Sequence, residues 1–192
     1  MLQAAAGAGV SVSGSDDEWY TPRIIIQGAI ALMGVIDLDP ASSAAANEIV
    51  GAADYFTVED DGLSQPWKGR VWLNPPYSYP LIGQLSVKVI EEFRLGNVTE
   101  ACMLTNNVTE TDWFQKLVEA SSAFCLLDDR VLFQRPGPKR PISNGRGQTL
   151  FYFGPNPALF QETFGHFGKI CALRRRSSGP RSECHDGVAI VL

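Results

Sequence analysis

The chain has 192 residues, about the size of one domain, and its 45% apolar content is enough to bury a normal core. A formal charge of -5 excludes a protein that coats nucleic acid through bulk positive charge, although a local basic patch could still bind it. Four widely spaced cysteines and two histidines, with no CxxC pair, argue against a zinc centre or a disulfide framework, so no metal is expected.

Residues 1–15, "MLQAAAGAGVSVSGS", lack the basic start and continuous apolar core of a signal peptide and read as a flexible small-residue tail. In "DDEWYTP", Thr21 followed by Pro22 has the form of an N-cap with proline at the first helical position, which predicts a helix over 22–33 ended by Gly34. The apolar run at 24–36 contains Gln27 and is shorter than the ~18 residues of a membrane span, so it reads as a buried helix and no membrane partner is expected. "VIDLD" is then a short buried strand closing on Asp39 and Pro40, and the alanine-rich "ASSAAANEIV" a second helix bounded by Gly51.

"ADYFTVEDDGLSQPW" combines a short aromatic strand with an acidic turn, and "GRVWLNPPYS" is the strongest strand signal in the chain. Residues 81–95 carry apolar positions at helical spacing. "EACMLTNN" is the next strand and "TETDWFQKLVEAS" the next helix, with Thr109 or Thr111 as its cap. The strands "SAFCLLDDRVLFQ" and "QTLFYFG" flank the loop "RPGPKRPISNGR", before a helix near "PALFQETFGHF" and a last strand, "KICALR". This alternation predicts an α/β fold in a domain over 16–176, followed by a polar, irregular tail over 177–192 that is expected to be disordered.

A strand cannot continue through Pro75 and Pro76, which lack backbone N–H groups, so the chain must leave the sheet at Asn74. That places Asn74 at the carboxyl end of a strand, where open α/β sheets form their ligand crevices. An exocyclic aromatic amine such as adenine N6 is a poor nucleophile because its lone pair is delocalised, and it needs hydrogen-bond acceptors. The Asn74 oxygen and the Pro75 carbonyl could each accept one N6 hydrogen, Pro76 would stiffen that carbonyl, and Tyr77 offers a face for a stacked base. As a purely structural feature, the same stretch is a proline turn after a strand.

"NPPYS" resembles motif IV of the S-adenosylmethionine-dependent amino-methyltransferases. With "DEWYTP", "DLDPAS", "DGLSQPWKGRVWLNPPY" and "TDWF" in that order, residues 16–155 resemble the small phage-type DNA N6-adenine methyltransferases. The resemblance implies a Rossmann-like methyltransferase sheet, S-adenosyl-L-methionine as cofactor, DNA as partner and the cytoplasm of a bacterial host as location. It assigns the catalytic stretch to Asn74, Pro75, Pro76 and Tyr77, and the cover over the cofactor's methionine end to Trp19, Tyr20 and Thr21. Asp39, Pro40 and Ala41 fall at the first strand and its loop, and Asp54, Asp61 and Gly62 at the adenosine contacts.

Only 35 positions separate Asp39 from Asn74, too few for the two complete βα units usual between these motifs, so the sheet is expected to be trimmed there. Asp37 and Asp39 alternate along a strand and point to opposite sides; Asp39 is favoured as the cofactor partner. Asn106 and Asn107 either cap the next helix or lie near where a target base enters. Arg135, Lys139, Arg140 and Arg146 make the loop over 135–146 the candidate DNA contact, against a solvated loop as the plainer reading. Two other functions fit the motif: glutamine side-chain methylation, and nucleic-acid binding by a relative that has lost catalysis.

Overall fold

A computed structural model describes residues 19–135, 140–173 and 190–191. Five helices, α1 (Arg23–Met33), α2 (Ala44–Val50), α3 (Leu81–Leu95), α4 (Asp112–Ala120) and α5 (Pro157–Phe164), pack on one sheet. Its strands are β1 (Leu38–Asp39), β2 (Asp54–Tyr55), β3 (Gly69–Leu73), β4 (Val98–Asn106), β5 (Ala123–Leu127), β6 (Gln148–Phe153), β7 (Gly168–Leu173) and β8 (Ile190–Val191). The order is β2-β1-β3-β4-β6-β5-β7-β8, with β2, β1, β3 and β4 parallel and the remaining pairings antiparallel. This is a Rossmann-like α/β sheet, trimmed as expected: α2, β2 and a turn are all that lie between β1 and β3.

Period-two alternation splits the strands between two cores. Trp72, Cys102, Leu104, Leu150 and Tyr152 face the cluster beneath α1 and α5, while Val71, Leu73, Met103, Phe151 and Phe153 face the cluster beneath α3 and α4. Burial on both faces explains why the central strands read as continuous apolar runs. The β1–β3 junction is locked by Arg70, whose guanidinium pairs with the Asp37 carboxylate at 2.8 Å. That bond holds the Asp37 carboxyl below its usual range. Gly69 has φ +75 and lies so close to Asp37 that a Cβ would stand 2.6 Å from its Oδ2.

Two local expectations are corrected. Thr21 does not cap α1: Pro22 holds the N-cap position, its carbonyl accepting from Ile25 N at 3.0 Å, and Thr21 stands one residue too early. The stretch 122–134 is not one strand, because β5 ends at Leu127, where Asp128 and Asp129 stay in water. Beyond that bend Phe133 pairs with Ile142 and Gln134 with Tyr20 as isolated bridges. Within 177–192, Ile190–Val191 form an antiparallel pairing with β7, and the rest of that segment and the tail at 1–15 lie outside the described residues. Among the described residues no helix is long and apolar enough to cross a membrane.

Candidate active site

Register aligns the strand ends that build the site. Leu38 lies opposite Val71 and Leu73 opposite Met103, so Asp39–Pro40 fall beside Trp72–Leu73, at the end of the sheet where Asn74 leaves β3. β4 runs three residues past Met103, to Asn106, and walls one side of the space above β3. Asn74 is half-buried, and both ends of its amide are held. Its Nδ2 donates to the Trp19 carbonyl at 2.6 Å, and its Oδ1 accepts from the Tyr77 hydroxyl at 2.7 Å. These two bonds fix which end of the amide is oxygen, and an sp² oxygen with one donor retains a second acceptor direction. Desolvation raises the Tyr77 hydroxyl well above its ordinary pKa, so it remains a donor.

A cavity of about 580 Å³ opens on one side of this turn. Its lining brings together Trp19, Tyr20, Thr21, Asp39, Pro40, Ala41, Asp61, Gly62, Asn74, Pro75 and Pro76 from the expected set. Asp39 is 3% exposed, and its one backbone donor, Ala41 N, is a long 3.4 Å away. Burial without a cation pushes its carboxyl up to about 7. The Thr21 hydroxyl is buried in the same wall with no hydrogen-bond partner among the described residues. A buried carboxyl lacking a cation and an orphaned hydroxyl suit a ligand that carries an ammonium group and further polar atoms.

Gly62 closes the far side against Pro40. A Cβ there would stand 2.0 Å from the Pro40 carbonyl oxygen, and Trp67 Nε1 donates to the Gly62 carbonyl at 2.7 Å. Asp61 adopts the left-handed conformation, at φ 51, in the turn that precedes it. Asp60 is engaged within that turn, accepting from Thr57 N and Oγ1, each at 2.8 Å.

Asp54 is a correction, because it does not reach the cavity. It pairs with Leu38 at the start of β2, is exposed, and accepts from the neighbouring Tyr55 N at 2.9 Å. A parallel strand presents its carboxyl end to the crevice, so Thr57, Val58 and Glu59, just after β2, line the cavity instead. The readable signal was the residues following the predicted strand, not those within it.

A second cavity, of about 360 Å³, lies on the other side of the turn and shares Trp19 and Ser78 with the first. Tyr77, Trp113, Asn106, Asn144 and Arg146 also line it. Asn106 therefore faces this space and does not cap α4. Asn107 is tied to β6, accepting from Thr149 Oγ1 at 2.6 Å. Asn144 and Gln148, which bind Asn106, were not singled out from the sequence.

The basic residues separate. Arg135 stacks over the Trp19 ring, 5.0 Å from its centroid, Arg146 is exposed at the small cavity, and Arg140 is exposed on the loop. Lys139 lies outside the described residues. No group of histidine, cysteine and acidic side chains able to hold a metal ion occurs among the described residues.

Residues 11–164 match the model of the family described as DNA N-6-adenine-methyltransferase (Dam). A protein of Haemophilus phage HP1 (strain HP1c1) named DNA N-6-adenine-methyltransferase is 29% identical over 143 residues, which cover 72% of this chain and 79% of that protein. One of the same name from Escherichia phage T1 is 35% identical over 101 residues, covering 51% of this chain and 39% of that protein.

Proposed function

This chain belongs to the DNA N-6-adenine-methyltransferase family, and on that premise we propose that the larger cavity holds S-adenosyl-L-methionine and the smaller one the target adenine. The reaction is methyl transfer to adenine N6 in DNA. The observation that carries the assignment is that the two cavities meet at the Asn74–Ser78 turn, with Trp19 and Ser78 on the walls of both.

Asp39 would receive the cofactor's ammonium group, Thr21 Oγ1 would gain the partner it lacks, and the walls at Pro40, Ala41, Asp61 and Gly62 would take the adenosine part. When bound, the cofactor supplies an electrophilic sulfonium methyl for one in-line displacement, so no covalent enzyme intermediate is required. The free acceptor direction of Asn74 Oδ1 and the carbonyl of Pro75 each take one N6 hydrogen, which draws the nitrogen toward tetrahedral geometry and frees its lone pair. Tyr77 supplies the stacking face. Asn74 is neutral and cannot hold the proton released from N6, which passes to water. In duplex DNA the adenine must be extruded first, because N6 is engaged in the base pair.

On this reading residues 16–176 form the methyltransferase domain, with Arg140 and Arg146 contacting phosphate. The phage relatives point to action on DNA in a bacterial cytoplasm. Labelled S-adenosyl-L-methionine incubated with a mixed DNA pool, followed by nucleoside analysis, tests the assignment. Label in N6-methyladenine is expected, dependent on Asn74. Label in cytosine, or in protein alone, would overturn it.

A further inference from the structure

We propose that Asn106 reads the ring edge of the target base, donating from Nδ2 to a ring nitrogen on the same side as the amino group. This rests on the smaller cavity being the base pocket.

Asn106 is 8% exposed at the end of β4 and lines that cavity. Its Oδ1 accepts twice, from Asn144 Nδ2 at 2.9 Å and from Gln148 Nε2 at 2.8 Å. Both oxygen lone pairs are therefore used. Turning the amide over would set its own N–H groups against two donors, so the orientation is locked. What remains is Nδ2, which has no hydrogen-bond partner among the described residues.

The lock is itself anchored. Asn106 and Gln148 are cross-strand partners in the β4–β6 ladder. Asn144 Oδ1 accepts from Gln148 Nε2 and from Arg146 N, each at 3.0 Å. Both hydrogens of Gln148 Nε2 are thus spent on holding the other two amides, while Gln148 Oε1 stays buried without a partner. A network built only to close the β4–β6 end would not leave one buried acceptor unused and one donor directed at a cavity.

A fixed donor selects for an acceptor. Adenine offers N1 and N7 on the side that bears N6; at the N1 position guanine (N1–H) and at the matching position thymine (N3–H) present a donor and would meet Nδ2 donor to donor, whereas at the N7 position guanine keeps an acceptor. Cytosine shares the acceptor-next-to-amine pattern at N3, so a contact to N1 separates amino bases from oxo bases but not adenine from cytosine, whereas a contact to N7 separates purines from pyrimidines and leaves the choice of amino over oxo to Asn74 and Pro75. Because Asn74 and Pro75 demand an amino group and Asn106 demands an acceptor beside it, the two sides of the pocket ask for complementary halves of one edge.

The test is a coupling measurement on duplexes carrying adenine, 1-deazaadenine or 7-deazaadenine at a mapped methylation site. Each is assayed for kcat/KM with wild type, Asn106→Asp and Asn106→Ala. Asn106→Asp keeps an acceptor for Asn144 and Gln148 and replaces the donor with a second, charged acceptor; Asn106→Ala removes both without adding charge, and cofactor titration verifies that each variant is folded. One analogue should lower wild-type kcat/KM by about ten- to a hundredfold, the scale of a hydrogen bond lost with its buried partner left unsatisfied. In whichever variant retains cofactor binding, the same swap should matter less than about twofold. Equal losses in wild type and variant, or no loss with either analogue in wild type, would overturn the role of Asn106 while leaving the base pocket intact. A wild type that forms no N6-methyladenine would overturn the pocket reading and this inference together.

Discussion

The Tyr77 hydroxyl donates to the Asn74 side-chain oxygen over 2.7 Å, so the stacking ring and the amide acceptor are set as one unit. The consequence is a graded response to truncation at 77. Phenylalanine keeps the face but releases the amide, and Tyr77→Phe should lose about three- to tenfold in kcat, the worth of one ordinary hydrogen bond. Tyr77→Ala should lose the stacking as well, worth about 1–3 kcal/mol per base, and fall at least another tenfold. Steady-state kinetics on one DNA substrate decides the matter, and equal activities for the two variants would remove stacking from the mechanism.

Asn74 should matter at the reacting nitrogen more than in holding the cofactor. Asn74→Ala is expected to lower kcat by about a hundredfold or more, as removal of one preorganised polar group from a reacting centre does. Calorimetry with the cofactor analogue lacking the methyl should show affinity within about threefold of wild type. A variant that methylates normally would show that Pro75 and the surrounding walls suffice.

If Asp39 receives the cofactor's ammonium group, cofactor binding should depend on pH. The Asp39 carboxyl is pushed up to about 7 by burial, and a ligand ammonium requires the ionised form. Affinity should therefore weaken as pH falls below about 7, by at most tenfold per pH unit, and level off above it. The ligand-free protein should behave in the opposite sense. With the folded pKa above the unfolded value, the native state binds the extra proton, so stability declines as pH rises from about 4 to about 7. Asp39→Asn should abolish the pH dependence of binding and raise the melting temperature of the ligand-free protein at pH 8, with the gain vanishing near pH 4. A pH-independent affinity in wild type would place the ammonium elsewhere.

The exposed arginines predict a salt effect. If Arg140 and Arg146 each neutralise one phosphate, the double alanine variant should reduce the slope of log affinity against log salt by about 1.8. Cofactor affinity should be unchanged. An unaltered slope, measured by anisotropy over a salt series, would mean that these residues meet only solvent.

Much of this arrangement is legible in local pattern. Proline punctuation after an apolar run places Asn74 at a strand end, and strict alternation along β1 sends Asp37 to Arg70 and Asp39 to the cavity. The sequence order also implies a shortened path between those strands. Less legible is anything set by long-range register. Asp54 carries the right charge in the right neighbourhood, but pairing with Leu38 leaves it at the wrong end of a two-residue strand. Asn106, Asn144 and Gln148 meet across separations of up to 42 residues, through a ladder whose alignment no local window contains. The bend at Asp128 is similarly invisible to periodicity, because apolar residues resume at Val131 as though the strand continued.

The segment around Trp19 also joins two things that the chain keeps far apart. Its carbonyl holds Asn74, its ring lies beneath Arg135, and the adjacent Tyr20 exchanges backbone hydrogen bonds with Gln134. The wall of the larger cavity and the foot of the loop after Gln134 thus share one piece of backbone. If the larger cavity holds the cofactor and this loop meets DNA, any preference that DNA imposes on Trp19 should be felt in that cavity, and the cofactor should then alter DNA affinity by the same factor.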